Sequence, residues 1–492
     1  MKHYTSSMPF FLGFLLLAAV FGLHQVSDPD FPWLLKAGEI IWTQGIPRQD
    51  IFSFTRAGQE WINAQWLFQA LIYPVWKTCG FLGLNLLLLA LLVSAFALLF
   101  RAGNHPGQEA LTALLGLLTL WAASQRLNLR PESLSFLYLA LILFAQSRFR
   151  QGRRRIVWLL PLAQWAWANS EGIWPLGLAL IFAGLLEAWF ENWRGTLSLS
   201  PASRKEFTLA SLLALPLCLA TPYAWRGFVF PWRLLAQVSS ENNYIKQMIA
   251  EFQPVFSAGD PLWLRWPFLI LIALGAVSFW LQRRRLRPFQ FALWLLLLFL
   301  SFRAMRNVAL FVLYSFPLIS AELGSFLAGR PWPRLRAVWA AAFIVLAGVA
   351  TGTIATNRFF LWDQSYRIFG TGFKETIFPA QAVRQLLNSG FEGKVFNQMS
   401  MGGYLIWKGY PRWKVYSDAR LEVYGAEFFR RETRLFTDYS SFVAEDEKYG
   451  FGAVLLNYRA EPLLPFILDL NADPHWRLFY QDKIAVVFLK TH

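Results

Sequence analysis

Apolar runs close to the length of a membrane crossing recur along the first ~350 residues of this chain, and no soluble core absorbs that many in series. The sequence has 492 residues, 56% of them hydrophobic and only 15% charged. About 20 apolar residues cross a hydrocarbon core of roughly 30 Å. Candidate spans fall at roughly 9–26, 82–100, 109–124, 132–147, 156–169, 173–190, 207–221, 262–281, 289–302, 306–328 and 337–354. The first run, Pro9 to Val26, lacks an Ala-x-Ala-like cleavage site and leads into Ser27-Asp28-Pro29. It reads as a retained helix and not a signal peptide. The expectation is a polytopic α-helical membrane protein.

Charge decides the threading. The formal net charge is +16, but beyond Asn357 acids and bases nearly balance, so the excess lies in short arginine-rich loops between the apolar runs. That distribution argues against nucleic acid as a partner and for the lipid bilayer. The segment 64–78 is amphipathic, carries Pro74 and ends near Lys77. If it lies in the interface and the N-terminus is cytoplasmic, eleven helices result. Arg101, Arg148 to Arg155, Arg194 to Lys205, Arg283 to Arg287 and Arg330 to Arg336 then all face the cytoplasm, as basic loops do. If 64–78 spans instead, the two densest arginine runs land outside. The first threading puts the 27–81 loop, the 222–261 loop and the C-terminal ~135 residues on the outer face of an inner (cytoplasmic) membrane.

Polar residues on that outer face form a set. The first loop holds Asp28, Asp30, Arg48, Asp50 and Glu60 among tryptophans, where a carboxylate beside hydrocarbon is costly unless paired or in use. Further along come Arg126, Arg130 and Glu132, then Asn169 and Glu171, then Arg226, Arg233, Glu241, Asn242, Asn243, Lys246 and Glu251, and finally Arg303, Arg306 and Asn307. Arginine forks suit bidentate phosphate binding. The plainer readings are that single arginines snorkel at helix ends, that Asn169 caps the helix after it, and that Asp50 is a turn residue. They leave unexplained the excess of arginine on the face where the topology rule disfavours it. Cys79 and Cys218 lie in apolar contexts and the five histidines are scattered, so no disulfide framework or Cys/His metal site is expected.

At about Asn357 the texture changes to short apolar runs with charges of alternating sign. VFNQM, WKVYSD, GAVLLN, RLFYQD and IAVVFLK read as strands; PAQAVRQLLNSG, AEFFRRETRLF and EPLLPFILDL read as helices, the first closing on Gly390. Alternation of the two predicts a small α/β domain over 357–492, its sheet partly parallel with an antiparallel terminal hairpin, following a transmembrane domain over 1–356. The paired glycines of MGGYLIW mark a close backbone approach, and no phosphate-loop motif is present. Asp418 and Arg420 are expected two apart on one strand face, as a local salt bridge or as site residues.

Together these features resemble the GT-C superfamily of membrane glycosyltransferases, the polyprenyl-phosphate-sugar-dependent enzymes related to protein O-mannosyltransferases and aminoarabinose transferases. The resemblance rests on the acidic pair Asp28-Pro29-Asp30 after the first helix, and on the stretch from Trp33 to Thr55 with Gly38-Glu39, Gly45-Ile46-Pro47 and Asp50 to Thr55. It rests also on Arg130-Pro131, on the Trp167 to Asn169 hairpin, and on an outer C-terminal domain. It is closest to a bacterial branch whose soluble domain carries a GGYLIW segment and an Asp-x-Arg strand, here Gly402 to Trp407 and Asp418 to Arg420. That branch continues the Trp-Ala-Asn hairpin with His-Gly; this chain has Ser170-Glu171-Gly172 instead, so a histidine role there would be lost or passed to Glu171.

The resemblance implies an inverting transferase of the cell envelope. It would move a sugar from a polyprenyl-phosphate-linked donor to a glycan, lipid or protein acceptor on the outer face. Asp28 or Asp30 would be the catalytic acid–base residue, and Arg126, Arg130, Arg303 and Arg306 would bind the donor phosphate. Asp50, Glu60, Asn169, Glu171, Asp418 and Arg420 are further site candidates. Asp28 and Asp30 are also the candidate ligands of a divalent cation, Mg²⁺ or Mn²⁺. The alternative is a non-catalytic GT-C-like scaffold or subunit that binds a lipid-linked glycan or anchors a surface assembly. A transporter would need internal repeats and mid-membrane ionisable residues, and neither is evident.

Overall fold

The computed structural model describes residues 8–240, 244, 248–257, 265–328, 333–458 and 463–491. Glu241, Asn242, Asn243 and Lys246, named above as outer-face polar residues, lie outside this set, as does Arg330. The chain divides into two compact units: Met1–Gln25, Phe81–Pro231 and Lys246–Gly372 make the first, and Val26–Gly80, Trp232–Ile245 and Phe373–His492 the second.

The first unit is helical, and each of the eleven apolar runs is a helix in it. Helix Met8–Gly22 packs Phe14 among Phe96, Phe100 and Phe316, with ring centroids 5.4–5.9 Å apart. Gly116, on helix Glu109–Ala123, makes room for that ring: a Cβ there would come within 2.4 Å of Phe14. Close approach through a small residue is how helices associate where lipid removes the hydrophobic drive. Buried hydroxyls pair inside the bundle, Thr112 with Ser320 at 2.8 Å. Leu16, Ile344 and Val345 stay exposed.

Among the described residues three helices are long and apolar enough to cross a membrane: Trp66–Gly103, Asn307–Leu327 and Arg336–Ala355. That is fewer than the eleven expected spans. Met8–Gly22, Trp266–Leu281 and Pro288–Arg303 are apolar but of 15 or 16 residues, about 23 Å at 1.5 Å per residue. The first of the long helices is broken at Gly80, whose φ of 61° and ψ of −152° are not helical. The amphipathic 64–78 stretch therefore ends where the apolar 82–100 run begins.

The second unit carries a five-stranded sheet in the order β2-β1-β3-β5-β4, with β1 Gly393–Asn397, β2 Trp413–Val415, β3 Ala453–Asn457, β4 Trp476–Gln481 and β5 Ala485–Lys490. β1 pairs in parallel with β2 and β3, while β3–β5 and β5–β4 are antiparallel. This is the mixed sheet with a terminal hairpin that the strand patterns predict. The segment containing MGGYLIW is a helix, Met399–Gly409, and makes the crossover between the parallel strands β1 and β2. Its glycines do mark close approaches: a Cβ on Gly402 would lie 2.0 Å from the Ser417 carbonyl oxygen, and one on Gly403 3.1 Å from that of Pro29. The segment read as the 27–81 loop contributes helix Phe31–Gln44 to this unit.

Candidate functional site

In the first unit the site is built at the start of helix Pro131–Arg150. Arg130 is extended, with φ −134° and ψ 164°, as a residue before proline must be. Pro131 occupies the first helical position and Glu132 the first turn, where the helix dipole favours an acid. Arg126 closes the 3₁₀ turn Ser124–Arg126 and turns back to this end: its Nε donates to Glu132 Oε2 at 2.7 Å, and it also pairs with Glu251. Arg130 Nη1 donates to Glu251 Oε2 at 3.2 Å, and Arg306 Nη1 approaches Glu251 Oε1 at 3.4 Å. The Glu251 turn is fixed to the Arg306 segment by backbone bonds, Arg306 N–H to Glu251 O at 3.0 Å and Met305 N–H to Gln253 O at 2.9 Å. Three guanidiniums thus converge on one carboxylate.

Glu171 joins the cluster from the turn after helix Leu159–Ala168. Its Oε2 accepts from Ser135 Oγ at 2.8 Å, and its Oε1 lies 3.9 Å from Arg306 Nη2. The two acids differ because their surroundings do. Burial raises the Glu171 carboxyl to about 7, with Arg306 only partly opposing it. Burial would also raise Glu251, but Arg126, Arg306 and Arg130 outweigh it and hold that carboxyl well below the usual range. Asn169 is the C-cap of the preceding helix, not the cap of the following one; its Nδ2 donates to Trp165 O at 2.8 Å and Ala220 O at 3.1 Å. Arg303, at the end of helix Pro288–Arg303, is exposed and makes no ion pair with the described residues. Of the four arginines expected on a phosphate, three are brought together.

The second unit holds the other candidates. Asp28 and Asp30 form a tight turn into helix Phe31–Gln44, with Asp28 Oδ1 accepting from the Asp30 N–H at 2.9 Å and Asp28 O from the Phe31 N–H at 3.1 Å. Asp28 is buried, Pro29 exposed and Asp30 half-buried. The turn is buttressed by Gly403 of helix Met399–Gly409, so the Asp-Pro-Asp and GGYLIW motifs meet. Lys36 pairs with Glu39 at 2.9 Å. Among the described residues no group of three or more His, Cys, Asp or Glu is placed to hold a metal ion. Two carboxylates, one already used in a turn, do not by themselves fill the oxygen sphere of a hard cation.

Asp50, Asp418 and Arg420 meet as well. Arg420 grips Asp418 with Nε and Nη2, both at 2.7 Å, and Nη2 also reaches Asp50 at 2.6 Å. Tyr424 donates to Asp418 at 2.8 Å, and the guanidinium lies 5.0 Å from the Phe52 ring and 4.6 Å from that of Trp61. These ionic side chains are fully buried. Asp418 and Arg420 do not share a strand face as expected: β2 stops at Val415, and the chain turns there under the close contact of Ser417 with Gly402. Asp50 also accepts from Ser53 N–H at 3.1 Å and Ser53 Oγ at 2.6 Å, the turn role foreseen for it. Such burial makes a clamp between the first loop and the C-terminal segment. Glu60 is exposed, on an isolated bridge to Gln49. Glu251, on which three arginines converge, was expected from the sequence only as one of the outer-face acids.

No protein-family model matches the chain, and no curated protein sequence does. Among solved structures it is similar to that of ArnT from Cupriavidus metallidurans bound to undecaprenyl phosphate, with a TM-score of 0.53 at 14% identity over 98% of each chain. The shared feature is the fold.

Proposed function

We propose that this chain is a multi-pass membrane glycosyltransferase that takes its sugar from a polyprenyl-phosphate-linked donor on the outer face of the cytoplasmic membrane. The observation that carries the reading is the convergence of Arg126, Arg130 and Arg306 on Glu251, in a fold shared with a protein bound to undecaprenyl phosphate. A carboxylate and a phosphate ask the same of guanidinium forks. In this reading Glu251 holds the place that the donor phosphate takes, and the three cations stabilise the phosphate as the glycosidic bond breaks. Arg303, exposed nearby in sequence, is the proposed guide for the incoming headgroup.

Asp28 or Asp30 is proposed to take the proton from the acceptor hydroxyl as it attacks the anomeric carbon. Asp30 is the base proposed, because it is half-buried where Asp28 is buried, so an incoming hydroxyl reaches it more readily. The acceptor is a hydroxyl of a glycan, lipid or protein. The threading proposed is eleven spans with the N-terminus inside and the 357–492 segment outside. A non-catalytic GT-C-like scaffold is the second reading, favoured by the local use of Asp28 in its turn.

The test is transfer by the purified chain from a polyprenyl-phosphate sugar. A positioned base contributes about 10²–10⁴-fold, so Asp30→Asn should abolish detectable transfer while leaving donor binding intact. Unchanged transfer per folded molecule would remove Asp30 from the chemistry. Binding without any transfer by the unaltered protein would favour the scaffold.

A further inference from the structure

A cavity of about 690 Å³ opens elsewhere in the first unit, walled by Arg150, Arg194, Arg284, Arg285 and Arg287. It is distinct from the Glu251 cluster. Arg130 precedes helix Pro131–Arg150 and Arg150 ends it, so the two sites sit at opposite ends of 20 residues, about 30 Å of helix or one hydrocarbon thickness.

The topology rule explains why basic residues gather at this end, but it does not ask them to enclose a hollow. Two of them are already fixed: Arg150 pairs with Glu191, and Arg287 reaches Glu191 at 3.1 Å and Glu322 at 3.5 Å. Arg194, Arg284 and Arg285 have no carboxylate partner among the described residues. Arg150 Nη2 is buried without a hydrogen bond, an unsatisfied charged donor in the wall. Trp189 and Trp193, near the end of helix Pro175–Trp193, and Trp280, near the end of helix Trp266–Leu281, are exposed, and Phe190, Glu191 and Gln282 close to them in sequence line the cavity. Tryptophan at that position marks headgroup depth.

We propose that this cavity binds the phosphate of an anionic membrane lipid, with Arg194, Arg284 and Arg285 contacting the headgroup and Arg150 and Arg287 held in place behind them by Glu191. Basic pockets between helices on the cytoplasmic side are suited to such headgroups. The ligand chemistry is a phosphate ester at the inner face, separate from the donor phosphate at the outer one.

The full-length protein in phosphatidylcholine nanodiscs would be titrated with phosphatidylglycerol and, separately, with sodium phosphate, reading bound lipid by native mass spectrometry and thermal stability in both arms. Phosphatidylglycerol should be retained over phosphatidylcholine. The variant Arg194→Gln/Arg284→Gln/Arg285→Gln should weaken that retention about a hundredfold, roughly fivefold per charge. The matched variant Arg226→Gln/Arg233→Gln/Arg358→Gln, at arginines outside the cavity, should keep it. Arg→Lys at the three cavity positions should keep most of the retention, which guards against a merely misfolded variant. Stabilisation by sodium phosphate with the same arginine dependence, and none by the lipid, would assign the site to soluble phosphate. No preference for either anion, or equal loss in the matched variant, would overturn the proposal.

Discussion

Glu251→Gln separates the roles of the arginine cluster because it should move stability and ligand affinity in opposite directions. The Glu251 carboxylate meets Arg126, Arg130 and Arg306 with 23% of its side chain exposed. A hydrogen bond to a charged group contributes about 1.5–3 kcal/mol. Glutamine keeps a carbonyl acceptor but loses the charge and turns an N–H donor toward cations. Discounted for exposure, the loss is about 2–4 kcal/mol, enough to lower the melting temperature by several degrees. A polyprenyl phosphate that must displace Glu251 in the native protein meets no such competitor in the variant. Its affinity should rise about tenfold, and its stabilising increment with it. Differential scanning fluorimetry with and without polyprenyl phosphate reads both effects. A variant that loses stability and also binds the lipid more weakly would show that Glu251 helps to hold the ligand. One indistinguishable from the native protein would remove the cluster as the phosphate site.

Three further outcomes follow from other groups. Glu171 has its carboxyl raised to about 7, with Arg306, Arg126, Glu132 and Ser135 around it, so it takes up a proton as pH falls from 8 to 6 and leaves the cluster more cationic. Lipid-phosphate binding should tighten roughly 3–10-fold over that range, and Glu171→Gln should flatten the profile. The same raised value means its stabilising contribution is complete below about pH 4.5 and is lost as pH rises through about 7. Arg420→Met strands Asp50 and Asp418 without their cation and should cost about 3–5 kcal/mol, seen as early proteolysis of the C-terminal segment, whereas preserved protease resistance would deny the clamp. A cysteine placed at exposed Glu447, near Glu445, should be labelled from outside intact cells and one at Arg154 spared; the reverse pattern would invert the active face.

The helices and strands were legible because their signals are local. Apolar runs give the bundle, and alternation bounded by glycine gives the five strands. Turn chemistry gave Asp50 its role. What local pattern could not carry is pairing at a distance: Arg420 meets Asp50 from 370 residues away, and Arg126 meets Glu251 from 125. The threading expected arginines and acids on one face, but not that three of the arginines would share one acid. Asp418 and Arg420 fit a strand by composition; packing of Ser417 against Gly402 ended that strand early. MGGYLIW is apolar enough for a strand or a helix, and its place between two parallel strands makes it the crossover.

The second unit is assembled from segments far apart in the chain. The segment Val26–Gly80 holds Asp28 and Asp30, yet belongs with Phe373–His492, and some 290 residues separate them in the chain. At ribosomal speeds of about 5–20 residues per second, that gap amounts to roughly 15–60 s. During that time the acidic turn has been made but its buttress at Gly403 and the cation for Asp50 have not. Maturation of the acidic turn is therefore tied to synthesis of the Phe373–His492 segment, and a chain terminated before it would carry its arginine cluster with the acidic turn unbuttressed.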